Sequence, residues 1–278
     1  MISHNKICVI DFETDSLSPE SNQPISIGAV MLDGRRLTVC DGGVFYSLIN
    51  RIPDEEVDDY GLNKLEKTAL EKNNIKIEEV LSAPSLEKVW TDFINWFMYF
   101  CPKTDAWSLP IGAGHNHKYD KTIIDRIQFG HNRGKQVLKE KLLPKTKLSK
   151  MTKEELLAYT KSIAVIKEPW KFGPEKLFHP AITLDTYPIS FSWFENSREP
   201  ARLSLDNLKL FFKFADDEGV LSHNALVDTL WSAEILVRYL SLQRKIYHDI
   251  NFLTNGETVL PISNIIKQMF PTKEEAPF

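Results

Sequence analysis

The sequence predicts an α/β domain with a mixed central sheet flanked by helices on both faces. Three observations carry this reading. The chain opens on a short apolar run with β-branched residues, Ile7 to Ile10. Two further strand-like runs follow it closely, and from residue 85 onward strand and helix signals alternate. With 278 residues, 42% of them apolar, the chain can bury a full core.

Ile7, Val9 and Ile10, with Cys8 between them, read as a buried strand bounded by polar residues. The run ends in Asp11-Phe12-Glu13. Residues two apart on a strand point to the same side, so two carboxylates stand together at its end, beside an apolar interior. Two like charges that close are costly unless a cation sits between them, and carboxylate oxygens suit Mg²⁺ or Mn²⁺. A solvated strand end with two unrelated acids is the alternative reading of this triplet alone.

A polar turn, Asp15 to Gln23, leads to a second strand over Pro24–Met31. Asp33-Gly34 centres a hairpin turn, and Val44–Ile49 is a third strand, so the chain begins as an antiparallel meander. Weak helical stretches follow at Lys64–Glu71 and Ile77–Leu81. Ser85 is a fair N-cap for a strongly amphipathic helix in which Leu86, Val89, Trp90, Phe93, Ile94 and Phe97 recur at three- and four-residue steps. This aromatic stripe reads as the main packing helix. Leu109–Ala113 is another strand, Thr122–Phe129 a helix, Ala181–Leu184 a short strand, and Leu205–Phe214 and Ala225–Leu242 are helices. The last carries Leu226, Leu230, Ala233, Val237 and Leu240 on one stripe. No strong pattern is expected beyond Asp249, and the acidic end after Phe270 is expected to fray. Residues 1–248 are read as the working domain, with a basic insertion at about 130–180, and 249–278 as an extension of unknown role.

Net charge is −4. That argues against coating nucleic acid by bulk electrostatics, but it allows a local grip on a few nucleotides with metal ions neutralising phosphate. Three scattered cysteines, Cys8, Cys40 and Cys101, suit a reduced compartment, and neither a membrane span nor a signal peptide is legible. The expectation is a soluble, cytoplasmic protein without a membrane partner; no protein partner can be named.

Asp120 falls at the start of a helix that follows a strand and a Gly-containing loop, and Asp228 about one turn inside the helix beginning near Asn224. His223 lies on the approach to that helix. Four carboxylates can hold two hard divalent cations about 4 Å apart, a spacing that clamps the attacking and leaving oxygens of a phosphodiester. A histidine, with an unperturbed pKa of about 6.5, is suited to take the proton of the attacking water.

With Asp-Phe-Glu-Thr at 11–14, Gly-His-Asn-x-x-x-Asp at 114–120 and His-Asn-Ala-Leu-Val-Asp at 223–228, the chain resembles the DEDD superfamily of 3′–5′ exonucleases. The final His-x4-Asp resembles its DEDDh branch, to which the proofreading subunit of bacterial DNA polymerase III, ribonuclease T and oligoribonuclease belong. Ile25–Val30, Ala69–Ile75 with Ala83-Pro84, Leu184–Thr186 and Ser204–Leu208 resemble supporting stretches, so the likeness spans roughly residues 6–240. The resemblance implies a ribonuclease H-like exonuclease fold and release of nucleoside monophosphates from a 3′ end. It implies Asp11, Glu13, Asp120 and Asp228 as ligands of two Mg²⁺ or Mn²⁺ ions, with His223 as general base. It also implies Thr14 and Leu17 against the terminal nucleotide, Leu17 as an apolar wedge, and Asn116 near the site. Asp15-Ser16 departs from the family's frequent Thr-Gly and adds a negative charge beside the nucleotide pocket.

The expected partner is nucleic acid with a single-stranded 3′ end, DNA first; short RNA or RNA tails are the rival substrate, since no residue shows how a 2′-hydroxyl is treated. A catalytically silent nuclease fold serving as a binding module is the alternative of another class, and it sits poorly with retention of all five active-site residues. His115 and His117 could be drawn as zinc ligands, but no cysteine pair stands at the needed spacing, so packing or surface roles are favoured. The lysine-rich window from Arg133 to Lys153 reads either as a track for a phosphodiester backbone or as a solvated insertion. Trp170, Phe172 and Phe178 read as stacking residues or, more simply, as anchors of that insertion.

Overall fold

The first strand is β1, Lys6–Thr14, and it occupies the centre of a five-stranded sheet. The computed structural model describes residues 5–15, 22–50, 64–73, 75–101, 108–129, 177–214, 223–245 and 258–269, with Thr152 and Glu155. β1 pairs antiparallel with β2, Pro24–Asp33, which pairs antiparallel with β3, Thr38–Leu48. On its other side β1 runs parallel to β4, Ile111–Gly114, and β4 parallel to β5, Thr183–Asp185. The sheet is therefore mixed, in the order β3-β2-β1-β4-β5. The expected meander is present, and the third strand is longer than its apolar run because Thr38 and Val39 continue the ladder to Asp33 and Leu32.

Alternation along β1 divides the core. Ile7 and Val9 face one layer, while Cys8, Ile10 and Phe12 face the other. The second layer rests on α3, Leu86–Phe100, and α4, His117–Phe129. Ser85 caps α3 by accepting the amide of Lys88, and Val89, Trp90, Phe93 and Phe97 are buried, as the aromatic stripe predicts. α4 starts five residues before its apolar run suggests, so Asp120 lies in its first turn. Two short helices, α1 (Lys64–Lys72) and α2 (Ile77–Ser82), supply Leu70 and Val80 to a small cluster around Ile25.

The first layer holds α5 (Thr186–Phe194), α6 (Leu205–Phe211), α7 (Ala225–Arg244) and α8 (Ile262–Met269). Two of these differ from expectation. α5 carries no amphipathic stripe in TYPISFSWF, and α8 lies beyond the last expected element. α7 is also buried on nearly every side rather than along one stripe. Glu234 and Arg238 are both fully buried in it and joined at 2.8 Å. Glu234 also accepts the amides of Val259 and Leu260, at 2.7 and 2.8 Å, which docks the segment leading into α8. A charge pair of this kind stays inside only because its remaining oxygens are satisfied. Among the described residues no helix is long and apolar enough to cross a membrane. The basic window 133–151, Lys153, Trp170, Phe172 and the end after Phe270 lie outside the described residues. Phe178 is described, and it anchors: its ring meets Phe97 at 5.9 Å and His117 at 5.6 Å.

One contact places α7. Gly28 of β2 pairs with Asp11 of β1, and a Cβ on Gly28 would stand 2.3 Å from the Ala225 carbonyl oxygen and 2.5 Å from the Leu226 nitrogen. The first turn of α7 thus lies directly on the sheet, with Thr229 Oγ1 donating to the Gly28 carbonyl at 3.1 Å. Gly28→Ala should push backbone against backbone at a cost of roughly 1–3 kcal/mol or more. We expect a fall of several degrees in melting temperature together with loss of divalent-cation binding; an unchanged melting temperature would contradict this packing.

Candidate active site

Asp11 and Glu13 project from the carboxyl end of β1 to the side that α7 covers, in step with Ile7 and Val9. Asn224 starts α7 by accepting the amides of Leu226 and Val227, at 3.0 and 3.3 Å. That cap brings Asp228 into the first turn, where the helix dipole favours an anion. The ligand oxygens of Asp11, Glu13 and Asp228 lie within 4.8 Å of one another. Asp120 reaches the same strand end from α4, its Oδ1 accepting the Phe12 amide at 3.2 Å. The strand pairing slips between Glu13 and Thr14, a bulge that ends the regular ladder at the site.

The electrostatics are those of crowded anions. Burial, then Asp120, Glu13 and Asp228, hold the Asp11 carboxyl well above its ordinary range. Burial, reinforced by Asp228, pushes Glu13 up to about 8, with Lys72 opposing. Asp228 is pushed up to about 7 by burial, against the pull of Lys209. Asp120 is likewise well above its usual range through burial, despite the hydrogen bond from Phe12. Moreover, Asp228 Oδ1 is a buried oxygen with no hydrogen-bond partner among the described residues. A set of hard oxygen donors gathered this closely, one of them orphaned, fits a divalent cation such as Mg²⁺ or Mn²⁺.

His223 sits one residue before the Asn224 cap, in the left-handed region at φ 62. Burial and the nearby Lys72 and Lys209 lower its pKa, with Asp206 opposing. The structure therefore brings Asp11, Glu13 and Asp228 together with Asp120 beside them, and gives His223 its place at the head of α7. Thr14 follows Glu13 directly, its Oγ1 2.9 Å from the Tyr119 hydroxyl. Asn116 is exposed on the β4–α4 turn at φ 63, its amide donating to Asp185 Oδ1 at 2.9 Å. Leu17 lies outside the described residues.

His115 and His117 do not form a cation site with this cluster. His115 Nδ1 is 2.9 Å from Thr186 Oγ1, and His117 is buried against Phe178, where burial lowers its pKa to about 4. Asp15 is engaged in the β1–β2 connection. It is buried and accepts the Gln23 amide at 2.7 Å. Sequence reasoning missed three participants. Asp185 caps α5 and holds the Asn116 amide, while Lys72 and Lys209 act on Glu13 and Asp228 respectively. None lies within the three motifs; only Leu184-Asp185-Thr186 carried a signal, as a supporting stretch.

No protein-family model and no curated protein matches the chain. Solved structures do. Exonuclease I superposes with a TM-score of 0.51 at 11% identity, over 90% of this chain and 42% of that one. The nuclease domain of 3′hExo, a DEDDh family member bound to rAMP, gives 0.49 at 15% identity, over 86% and 92%. Cell-death related nuclease 4 gives 0.47 at 12% identity, over 86% and 65%. This chain thus spans less than two thirds of exonuclease I and of the cell-death nuclease. The likeness to exonuclease I shows the fold: it is the ribonuclease H-like exonuclease fold, with a mixed sheet between helical layers.

The raised carboxylates have a consequence for stability. Their native pKa values, about 7 and about 8 for Asp228 and Glu13, exceed unfolded values near 4. The native state therefore binds more protons across that interval, and the stabilisation, complete below about pH 4, is lost as pH rises through about 7 to 8. Without divalent cations the melting temperature should fall between about pH 5 and 9, and Mn²⁺ should restore it more at pH 8 than at pH 5. A melting temperature indifferent to both pH and Mn²⁺ would count against the cluster.

Proposed function

We propose that the chain is a 3′–5′ exonuclease of the DEDDh type that releases nucleoside monophosphates from single-stranded 3′ ends, DNA first, by two-metal-ion hydrolysis. The observation that carries the proposal is the meeting of Asp11, Glu13 and Asp228 within 4.8 Å, with an orphaned Asp228 oxygen and Asp120 beside them. In this reading the four carboxylates hold Mg²⁺ or Mn²⁺, which supplies charge neutralisation at phosphorus and a more acidic attacking water. Asp120 holds its place through the Phe12 amide, and Asp228 through the capped first turn of α7.

His223 is proposed as the general base. Burial lowers its pKa, which favours the unprotonated imidazole that would accept the proton of the attacking water. Thr14, beside Glu13, and Asn116, on the turn before α4, are proposed to meet the terminal nucleotide, and Leu17 to press on its base. The exonuclease reading, rather than a silent module, is supported by the chemistry of the assembled side chains. Four carboxylates gathered at one strand end with raised pKa values are what a metal-dependent active site needs.

The test is digestion of 5′-labelled single-stranded DNA and RNA of matched sequence with Mg²⁺, Mn²⁺ or EDTA. A ladder that shortens from the 3′ end only with metal is expected, and the faster strand names the substrate class; no cleavage of either strand by the folded protein would refute the proposal. His223→Ala should lower the rate by roughly 10²–10⁴ while divalent-cation binding persists. An unchanged rate would remove His223 from the mechanism.

A further inference from the structure

A chain of hydrogen bonds ties the end of β1 to α4 next to the site. The guanidinium of Arg126 donates to the Asn22 carbonyl and, at 3.0 Å, to Asn22 Oδ1. Asn22 Nδ2 donates to the Tyr119 hydroxyl oxygen, and that hydroxyl meets Thr14 Oγ1 at 2.9 Å. Asn22 is itself buried, and it enters β2 beside a neck closed twice over. The Asp15 amide donates to the Gln23 carbonyl at 3.0 Å, and the Gln23 amide to Asp15 Oδ1 at 2.7 Å. Tyr119 and Thr14 are the chain neighbours of Asp120 and Glu13. The first turn of α4 therefore grips β1 at two points, Asp120 on the Phe12 amide and Tyr119 on the Thr14 hydroxyl.

We propose that Tyr119 is a positioning residue for the 3′-terminal nucleotide: its hydroxyl, oriented by Asn22 and Arg126, fixes Thr14 beside Glu13 and so sets affinity for that nucleotide. The inference rests on the exonuclease reading and on Thr14 as a nucleotide contact. The phenol oxygen accepts from Asn22 and shares a hydrogen bond with Thr14 Oγ1, in which either hydroxyl can donate, and this bond favours one Thr14 rotamer before substrate arrives. Holding a binding side chain in one rotamer acts on affinity rather than on the chemical step. The Asp120 carboxylate is held by the Phe12 amide rather than by the phenol. Beside this network the Asp15 carboxylate closes the neck of the β1–β2 connection.

The test compares wild type, Tyr119→Phe, Asn22→Ala and the double variant. Three quantities are read: KM and kcat on a single-stranded oligonucleotide, Kd for dAMP and AMP in Mn²⁺, and melting temperature. Loss of one net hydrogen bond is about a three- to tenfold effect, so KM and Kd should rise by that factor with kcat within about twofold of wild type. The double variant should be no worse than the worse single, because both act through one hydroxyl. Unchanged KM and Kd in Tyr119→Phe, with or without a lower melting temperature, would overturn the inference while wild-type digestion upholds the exonuclease. A fall in kcat at constant KM would also overturn it, by placing the phenol in the chemical step. If wild type binds the monophosphates without digesting either strand, the exonuclease reading falls and the Kd series still decides on Tyr119. If it does neither, both fall.

Discussion

The arrangement depends on one close approach. At Gly28 the sheet has no side chain, and the first turn of α7 comes to rest on its backbone. Three things follow from the crossing. Asp228 is delivered to the end of β1, where Asp11 stands in register with Gly28. His223 is placed one residue outside the helix, in a left-handed conformation that turns the chain into the Asn224 cap. The remainder of α7 is then enclosed, so a helix of mixed sequence is buried almost all round, with Glu234 and Arg238 paired inside it. A larger residue at 28 would raise α7 off the sheet and separate carboxylates contributed by different elements.

The same crossing creates the site's electrostatic tension. Four carboxylates at one strand end, partly withdrawn from water, repel one another, and among the described residues Lys72 acts on Glu13 and Lys209 on Asp228 against that repulsion. Backbone helps as well: Asp120 takes the Phe12 amide, and Asp228 sits in the first turn of a capped helix. What is left over is balanced by protons, as the raised pKa values show, or by a divalent cation in the proposed reading. Around it hydrogen bonds brace the backbone. The Tyr119–Asn22–Arg126 chain and the Asp15–Gln23 neck hold β1 just past Glu13, and Asp185 holds the turn that carries Asn116.

Much of this was legible in the sequence because its signals are local. The apolar run before Asp11, the spacing of Asp11 and Glu13, the aromatic stripe of α3 and the His-x4-Asp at the head of α7 each report on a few consecutive residues. The missed parts depend on contacts distant in the chain. α5 has no amphipathic period because its exposed face carries Tyr187 and Phe191 while its buried face carries Thr186 and Ser190 beside Phe194, and α8 is too short and too close to Pro261 to stand out. The one-sided stripe expected on α7 fails because α8 and the segment before it cover the second face. The bond of Asp15 to Gln23 was not legible either, since it spans the eight residues of the β1–β2 connection. Tyr119 reads as a filler between motif positions, and only the fold shows it bonded to residues about a hundred positions away. The basic window at 133–153 lies almost wholly outside the described residues, so its two readings stand as the sequence leaves them.

The measurement closest to the central claim is the anomalous diffraction of crystals grown with Mn²⁺. The account predicts manganese bound between Asp11, Glu13 and Asp228, with Asp228 Oδ1 among its ligands and Asp120 alongside. Manganese elsewhere on the protein with none in this cluster, or bound there without Asp228, would contradict it.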